Sequence, residues 1–179
     1  RQAPLRYWDF LAPCIRPWFV KRVVVAGAES TGKSLLTRDL AWYFATVHAT
    51  EYAREHVAWQ NNFVEYEDHT RIARGHIASE EALARQANRV LFIDTDTIMT
   101  TLYCEFIYGK CSDWVKRTAD ERVHDLYLVL DCDVPWEDDP QRSLTTEEDR
   151  CRFRDRLIEE YDKRGRRWVL IGGNWQDRF

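Results

Sequence analysis

"VVVAGAESTGKSLL", Val23 to Leu36, sets β-branched residues ahead of a run of small, bendable ones, then a lysine, a serine and two leucines. Gly27, Gly32, Lys33 and Ser34 fit the spacing G-x-x-x-x-G-K-[ST]. A Gly-rich turn between an apolar strand and an amphipathic helix leaves backbone N–H groups free to point inward. It also brings the positive end of the helix dipole to the same spot, and the two together attract phosphate. Lys33 adds a point charge toward the β- and γ-phosphates of a nucleoside triphosphate, and the hydroxyl of Ser34 can ligate Mg²⁺. The stretch Gly27, Ala28, Glu29, Ser30, Thr31, Gly32, Lys33, Ser34 and Leu35 is therefore read as a cradle for the phosphates of ATP.

Outward from this stretch, apolar periodicity alternates between strand and helix. A strand over Lys21–Ala26 precedes the turn, and a helix from Lys33 to about Phe44 follows, with Leu35, Leu36, Leu40 and Phe44 on one face. A short second strand is expected at Ala49–Arg54 and a long helix over Asp68–Ala87. "RVLFID" (Arg89–Asp94) is a third strand, apolar throughout, as a strand covered on both faces should be. A helix over Thr97–Tyr108, a short helix or turn over Asp113–His124 and a fourth strand over Leu126–Asp131 follow. After a polar loop (Val134–Leu144), Thr145 and Glu148 form a capping box that opens a helix to Arg164, closed by Gly165. A fifth strand covers Arg167–Ile171. Strands alternating with helices predict an α/β, three-layer sandwich around a five-stranded, mainly parallel sheet with right-handed connections.

Composition narrows the function. A chain of 179 residues with 45% hydrophobic content is the size of one compact domain. The formal charge of −4 argues against a protein built to coat nucleic acid. Five cysteines, odd in number and without a C-x-x-C pair, read as a reduced, cytoplasmic chain rather than a disulfide framework or zinc site. No apolar run approaches the ~20 residues that cross a bilayer. The first residue is Arg1 rather than Met, as expected of a fragment. Arg1 to Pro17 holds three prolines and mixed aromatics without periodicity, and reads as an irregular arm or linker.

The cradle does not say what receives the phosphate; the strand ends must. Ligands of open parallel sheets collect at the carboxyl ends of the strands. "FIDTD" places Asp94 and Asp96 there. Asp94, directly after the apolar run, suits the metal side, and Asp96 serves either the substrate or a helix N-terminus. After strand two, "TEYAREHV" clusters Glu51, Tyr52, Arg54 and Glu55 where an acceptor would sit, and a carboxylate there accepts ribose hydroxyls or acts as base. The same residues would also make an ordinary helix start. The general base stays open among Glu51, Glu55, Asp94 and Asp96. In "CDVPWEDDPQRSLTTEEDR", Arg142 and Arg150 suit a lid that closes over the phosphoryl group. Trp136 beside Asp138 and Asp139 suits a flat, positively charged substrate. A packed tryptophan among solvated charges is the plainer account of that loop.

These segments resemble the ribosylnicotinamide kinase domain of the NadR family of NAD-salvage proteins. The resemblance rests on "RPWFVKRVVVAGAESTGKS", "EYAREHV", "RVLFIDTDTIMTT", "LYLVLDCDVPWEDDPQRSL" and, more weakly, "NWQDRF", which fall in the family's order over nearly the whole chain. It implies a P-loop kinase-like fold with a lid, and ATP-dependent phosphorylation of the 5′-hydroxyl of nicotinamide riboside, with Mg²⁺ as cofactor. On this reading Lys33, Asp94, Glu55 and Arg142 are catalytic. Glu51, Tyr52, Arg54, Asp96, Trp136 and Asp139 hold the riboside, with Tyr103 among the further aromatic candidates. The C-terminal "GGNWQDRF" follows strand five, where adenine packs in P-loop kinases, so Asn174 and Arg178 are candidates for the base. Residues 1–20 are then the arm from a preceding adenylyltransferase-type domain that this chain lacks, and residues 21–179 the kinase domain. A fused or separate nicotinamide mononucleotide adenylyltransferase is the implied partner, with neither nucleic acid nor membrane. The rival readings are a P-loop ATPase or nucleotide-sensing module, and a kinase for another nucleoside.

Overall fold

The computed structural model describes residues 4–59, 64–136, 144 and 146–179. Its strands are β1 (Lys21–Gly27), β2 (His48–Ala49), β3 (Val90–Asp94), β4 (Leu126–Leu130) and β5 (Trp168–Ile171). They form one sheet in the order β2-β3-β1-β4-β5, and every pairing is parallel. The helices are α1 (Lys33–Tyr43), α2 (Tyr52–Trp59), α3 (Asp68–Ala84), α4 (Thr97–Tyr108), α5 (Asp113–Glu121), α6 (Glu147–Lys163) and α7 (Trp175–Arg178).

Alternation along the strands divides the core between the two faces of the sheet. Val24, Ala26, Leu91, Ile93, Tyr127 and Val129 meet α4 and α6 through Ile98, Leu102, Phe153, Leu157 and Tyr161. Val25 and Leu130, one residue out of phase, pack with Leu36 of α1. This is the three-layer sandwich that the alternation of elements predicts, and its sheet is parallel throughout.

Three expectations about local structure need correction. Strand two is only two residues long, and the chain turns helical at Tyr52. Tyr52 seats its ring where α3 carries Gly75; a Cβ on that glycine would lie 2.2 Å from the ring. That packing ties α2 to α3 and removes Tyr52–Arg54 from the sheet. The cap of α6 is Thr146, one residue later than expected: its hydroxyl accepts from the Asp149 amide at 3.1 Å and donates to the Asp149 carboxylate at 2.7 Å. Leu144 is fully buried and its amide donates to Glu29 at 2.6 Å, which sets where the chain enters that helix. The segment before β1 is built of two 3₁₀ turns, Pro4–Phe10 and Arg16–Trp18. Trp8 is 2% exposed within the main core, with the guanidinium groups of Arg16 and Arg89 near its ring.

Buried Glu80 and His124 form a charge cluster with half-buried Arg22 and Arg122, Glu80 being bonded to Arg22 at 2.6 Å and to His124 at 3.2 Å. Burial alone would raise the Glu80 carboxyl. The hydrogen bond from His124 and the charges of His124, Arg122 and Arg22 outweigh it and hold the group at about 2.

Candidate active site

The strand register builds the site. β1 and β3 pair so that Val25 lies opposite Asp94, and the Thr95 amide donates to the Val25 carbonyl at 3.1 Å. Asp94 therefore leaves the sheet beside the start of the Gly-rich turn. Gly27 has φ 142°, and a Cβ there would sit 2.9 Å from the Leu130 carbonyl oxygen, so the backbones of β1 and β4 touch where the turn begins. Left-handed Ser30 (φ 57°) and Gly32 (φ 85°) then curl the chain into the concavity that successive backbone amides use to hold anions.

Lys33 is buried, and its ammonium donates to the Ala28 carbonyl at 2.8 Å; the Thr31 hydroxyl donates to the same oxygen. The Ser34 hydroxyl donates to Asp94 Oδ2 at 2.5 Å. Asp94 is 1% exposed, and burial, with the nearby charge of Glu51, pushes its carboxyl up to about 6, against the pull of Lys33 and Ser34. A hydroxyl and a carboxylate side by side are hard oxygen donors of the kind Mg²⁺ accepts. Among the described residues no group of three or more His, Cys, Asp or Glu gathers into a protein-only cage. Such a pair fits an ion that takes most of its ligands from phosphate and water.

A cavity of about 650 Å³ joins this cradle to the acceptor side. Residues Glu29 to Leu35 line one wall; Glu51, Ala53, Arg54, Val57 and Tyr103 line another; Val134, Pro135 and Trp175 complete it. Arg54 lies 3.8 Å from Glu51. The Tyr103 phenol is held well above its ordinary value, first by burial and then by Glu29, Glu51 and Asp94, so it enters the site as a proton donor. Its ring packs on Phe153 with centroids 4.4 Å apart.

The sequence-read residues separate here. Glu51 and Arg54 reach the cavity. Glu55 does not line it; it is exposed and accepts from the Thr50 hydroxyl at 2.9 Å. Tyr52 is turned into the α3 notch and is likewise absent from the lining. Asp96 is a helix cap: 2% exposed, it accepts from the Met99 amide at 2.9 Å, and burial raises its carboxyl. Arg150, expected in a lid, is 3% exposed and donates to the Ser30 and Val134 carbonyls at 3.4 and 3.2 Å. Its guanidinium lies 5.7 Å from the Trp136 ring centroid, and Trp136 does not line the cavity. Asp139 and Arg142 fall outside the described residues.

Both candidates for the adenine base have structural duties. Asn174 caps α7 by accepting from the Gln176 and Asp177 amides at 2.9 and 3.1 Å. Arg178, 5% exposed, donates to the Thr31 carbonyl at 2.8 Å and the Gly173 carbonyl at 2.9 Å, and pairs with Asp133. It braces the cradle from behind. Trp175, between them in the chain, lines the cavity. Its only signal in the sequence is an indole among the polar residues of "NWQDRF".

Residues 22–178 match the AAA domain family. Over 175 residues, 96% of its length, the chain is 34% identical to the trifunctional NAD biosynthesis/regulator protein NadR of Escherichia coli (strain K12). Over 163 residues, 89% of its length, it is 36% identical to the protein of the same name from Salmonella typhimurium (strain LT2). It spans 43% and 40% of those two relatives. Among solved structures, NadR protein in complex with NR superimposes with a TM-score of 0.77 at 25% identity, covering 94% of this chain and 50% of that one. Thymidylate kinase from Ehrlichia chaffeensis shares the fold, with a TM-score of 0.57 at 13% identity over 87% of this chain and 88% of that one. With its cradle, its parallel sheet and these matches, the chain belongs to the AAA domain family of P-loop proteins and is a NadR homologue over most of its length.

Proposed function

We propose that this chain is an ATP-dependent ribosylnicotinamide kinase, transferring the γ-phosphoryl group of ATP to the 5′-hydroxyl of nicotinamide riboside to give nicotinamide mononucleotide and ADP. The observation that carries the proposal is the shared cavity: the phosphate cradle and the acid Glu51 face one space of about 650 Å³, with Asp94 buried beside it and bonded to Ser34 of the cradle wall. A donor and a small acceptor therefore meet without a second site. The riboside itself is supported by the likeness to NadR protein bound to NR.

Phosphoryl transfer needs positioning and charge stabilisation more than covalent help. Lys33 leaves the Ala28 carbonyl to meet the phosphates, and its charge offsets that developing on the moving group. Glu51 takes the proton of the attacking hydroxyl as the new O–P bond forms and the bond to ADP breaks. Tyr103 donates to the sugar, and the acids that line the cavity, Glu29 and Glu51, suit the pyridinium cation. Mg²⁺, held at Ser34 and Asp94, would supply further neutralisation of phosphate charge. Arg142 and Asp139 keep their proposed places in the lid and at the acceptor, and the segment ahead of β1 its place as the arm from an adenylyltransferase-type domain. That partner would consume the product. The five free thiols suit a reduced, cytoplasmic setting, and no helix among the described residues is long and apolar enough to cross a membrane.

The decisive assay mixes protein, Mg-ATP and nicotinamide riboside and follows ADP and nicotinamide mononucleotide. Riboside-dependent ADP formation supports the kinase; ATP loss indifferent to riboside points to an ATPase or sensing module. Uridine, cytidine and thymidine run in parallel identify a kinase for another nucleoside.

A further inference from the structure

We infer that Thr95 is a positioning residue: held in a left-handed conformation, it uses its hydroxyl to fix the direction in which the Asp94 carboxylate faces the cradle. The inference rests on the kinase reading for one of its two readouts and on the contact between Asp94 and Ser34 for the other.

The backbone supplies the outlier. Thr95 has φ 75°, and among the described residues it alone combines a β-branched side chain with a positive φ. Such a side chain is crowded there by its own backbone, whereas glycine or asparagine turns the chain with little strain. β1 ends in this easier way, on Gly27. Strain of the kind Thr95 carries persists only where the surroundings over-determine it, and it collects at functional sites.

Here the surroundings do over-determine it. On one side Asp94 is in register with Val25 of β1, whose carbonyl accepts the Thr95 amide at 3.1 Å. On the other, Asp96 is fixed as the cap of α4 and accepts the Met99 amide at 2.9 Å. The chain therefore has one residue in which to pass from the end of β3 to the cap. That residue is 8% exposed, and His76 of α3, itself buried, lies close to its backbone.

The turn brings the Thr95 side chain back onto Asp94. Its hydroxyl donates to Oδ1 at 3.5 Å, while the Ser34 hydroxyl donates to Oδ2 at 2.5 Å. Each carboxylate oxygen thus meets a hydroxyl, one from α1 and one from the turn after β3. Swinging the carboxylate plane would give up both. The Thr95 contact is the longer of the two, and bonds of this kind tighten when an active site fills. A displacement of about 1 Å at a reacting centre costs on the order of 10²-fold in rate, so a second grip on this acid has a measurable effect.

Three substitutions in the full chain separate the hydroxyl from the turn. Thr95→Ser keeps the hydroxyl, Thr95→Val keeps the branched shape without it, and Thr95→Gly relieves the turn and has neither. The readouts are riboside-dependent kcat and KM, and the factor by which Mg²⁺ tightens ADP binding in calorimetry. Thr95→Ser should stay within about 3-fold of the parent in both, because the hydrogen-bond donor remains. Thr95→Val and Thr95→Gly should lose about 10-fold or more in kcat, with KM for ATP and riboside within about 3-fold, and should lose most of the Mg²⁺ effect. Thr95→Gly should melt no lower than the parent, since relief of the left-handed strain offsets the lost side chain. Parent-like kcat and Mg²⁺ effect in Thr95→Val or Thr95→Gly would overturn the inference. Thr95→Ser falling as far as Thr95→Val, or Thr95→Gly melting well below the parent, would overturn it too, by showing that the side chain only fills space. ADP affinity indifferent to Mg²⁺ in the parent would sink it whatever the kinase assay gives. Should the parent phosphorylate no nucleoside while the Mg²⁺ pattern holds, the kinase reading falls and this one stands.

Discussion

The Ser34 hydroxyl donates to Asp94 Oδ2 across 2.5 Å, joining the first turn of α1 to the end of β3. These residues are sixty positions apart. The bond points a buried carboxylate at the phosphate cradle, and it does so at some cost to the fold. Burial and the charge of Glu51 raise the Asp94 carboxyl from 3.8 to about 6. Its relative stability is therefore greatest below about pH 4 and is lost as the pH rises through about 6, where the group ionises inside the protein. Asp94→Asn keeps an acceptor for Ser34 and removes that charge. We expect the variant to be more stable at pH 8 by on the order of 1–3 kcal/mol and no more stable at pH 4. Its phosphoryl transfer should fall by about 100-fold or more. Thermal melts at the two pH values, beside riboside-dependent ADP release, check both halves; equal melting at pH 8 would mean the carboxylate is not strained by burial.

The two glutamates of the 51–55 stretch should part company. Glu51 lines the cavity, whereas Glu55 is engaged with Thr50 at the surface. General-base removal costs about 10²–10⁴-fold, so Glu51→Gln should lower kcat within that range while Glu55→Gln stays near the parent rate. Steady-state kinetics at saturating ATP decides; the reverse ranking would hand the role to Glu55.

Lys33 contributes charge to the cradle and little to the packing. Its ammonium bonds only one carbonyl, that of Ala28, in the structure described. Lys33→Ala should abolish measurable turnover, a loss of at least about 10²–10³-fold, with the circular dichroism spectrum unchanged. Full activity in that variant would remove the cradle from the mechanism.

Arg178 makes the opposite prediction. It does not itself line the cavity, yet it ties the cradle to the loops after β4 and β5 through Thr31, Gly173 and Asp133. Charged hydrogen bonds of this kind are worth about 1.5–3 kcal/mol, so Arg178→Ala should destabilise by about 2–3 kcal/mol, with weaker ADP binding as a consequence. Denaturant titration measures the first and calorimetry the second. An unchanged midpoint would show that the bonds are idle.

Much of this was legible in the residue order. The strand–turn–helix around Gly27–Ser34, the parallel sheet and the strand-end acid Asp94 all follow from neighbours within a dozen residues, where periodicity and turn chemistry act. Polar residues outside those patterns were harder to place. Asp96, Arg150, Asn174 and Arg178 carry the chemistry of ligand binders, and the structure employs each of them on a backbone amide or carbonyl. A buried peptide group needs a partner as much as a phosphate does, and composition does not distinguish the two. Tyr52 and Glu55 lie on a helix that begins at Tyr52, inside the span expected of strand two, and neither lines the cavity.

What the sequence determined by itself was the triphosphate cradle and the alternating elements that carry it, because both are encoded in local spacing. Only the tertiary structure decided that Glu51 and Tyr103 enter the cavity, that Arg178 braces it and that Trp175 overlooks it. Those assignments depend on strand order and register, which bring together residues as far apart as Thr31 and Arg178.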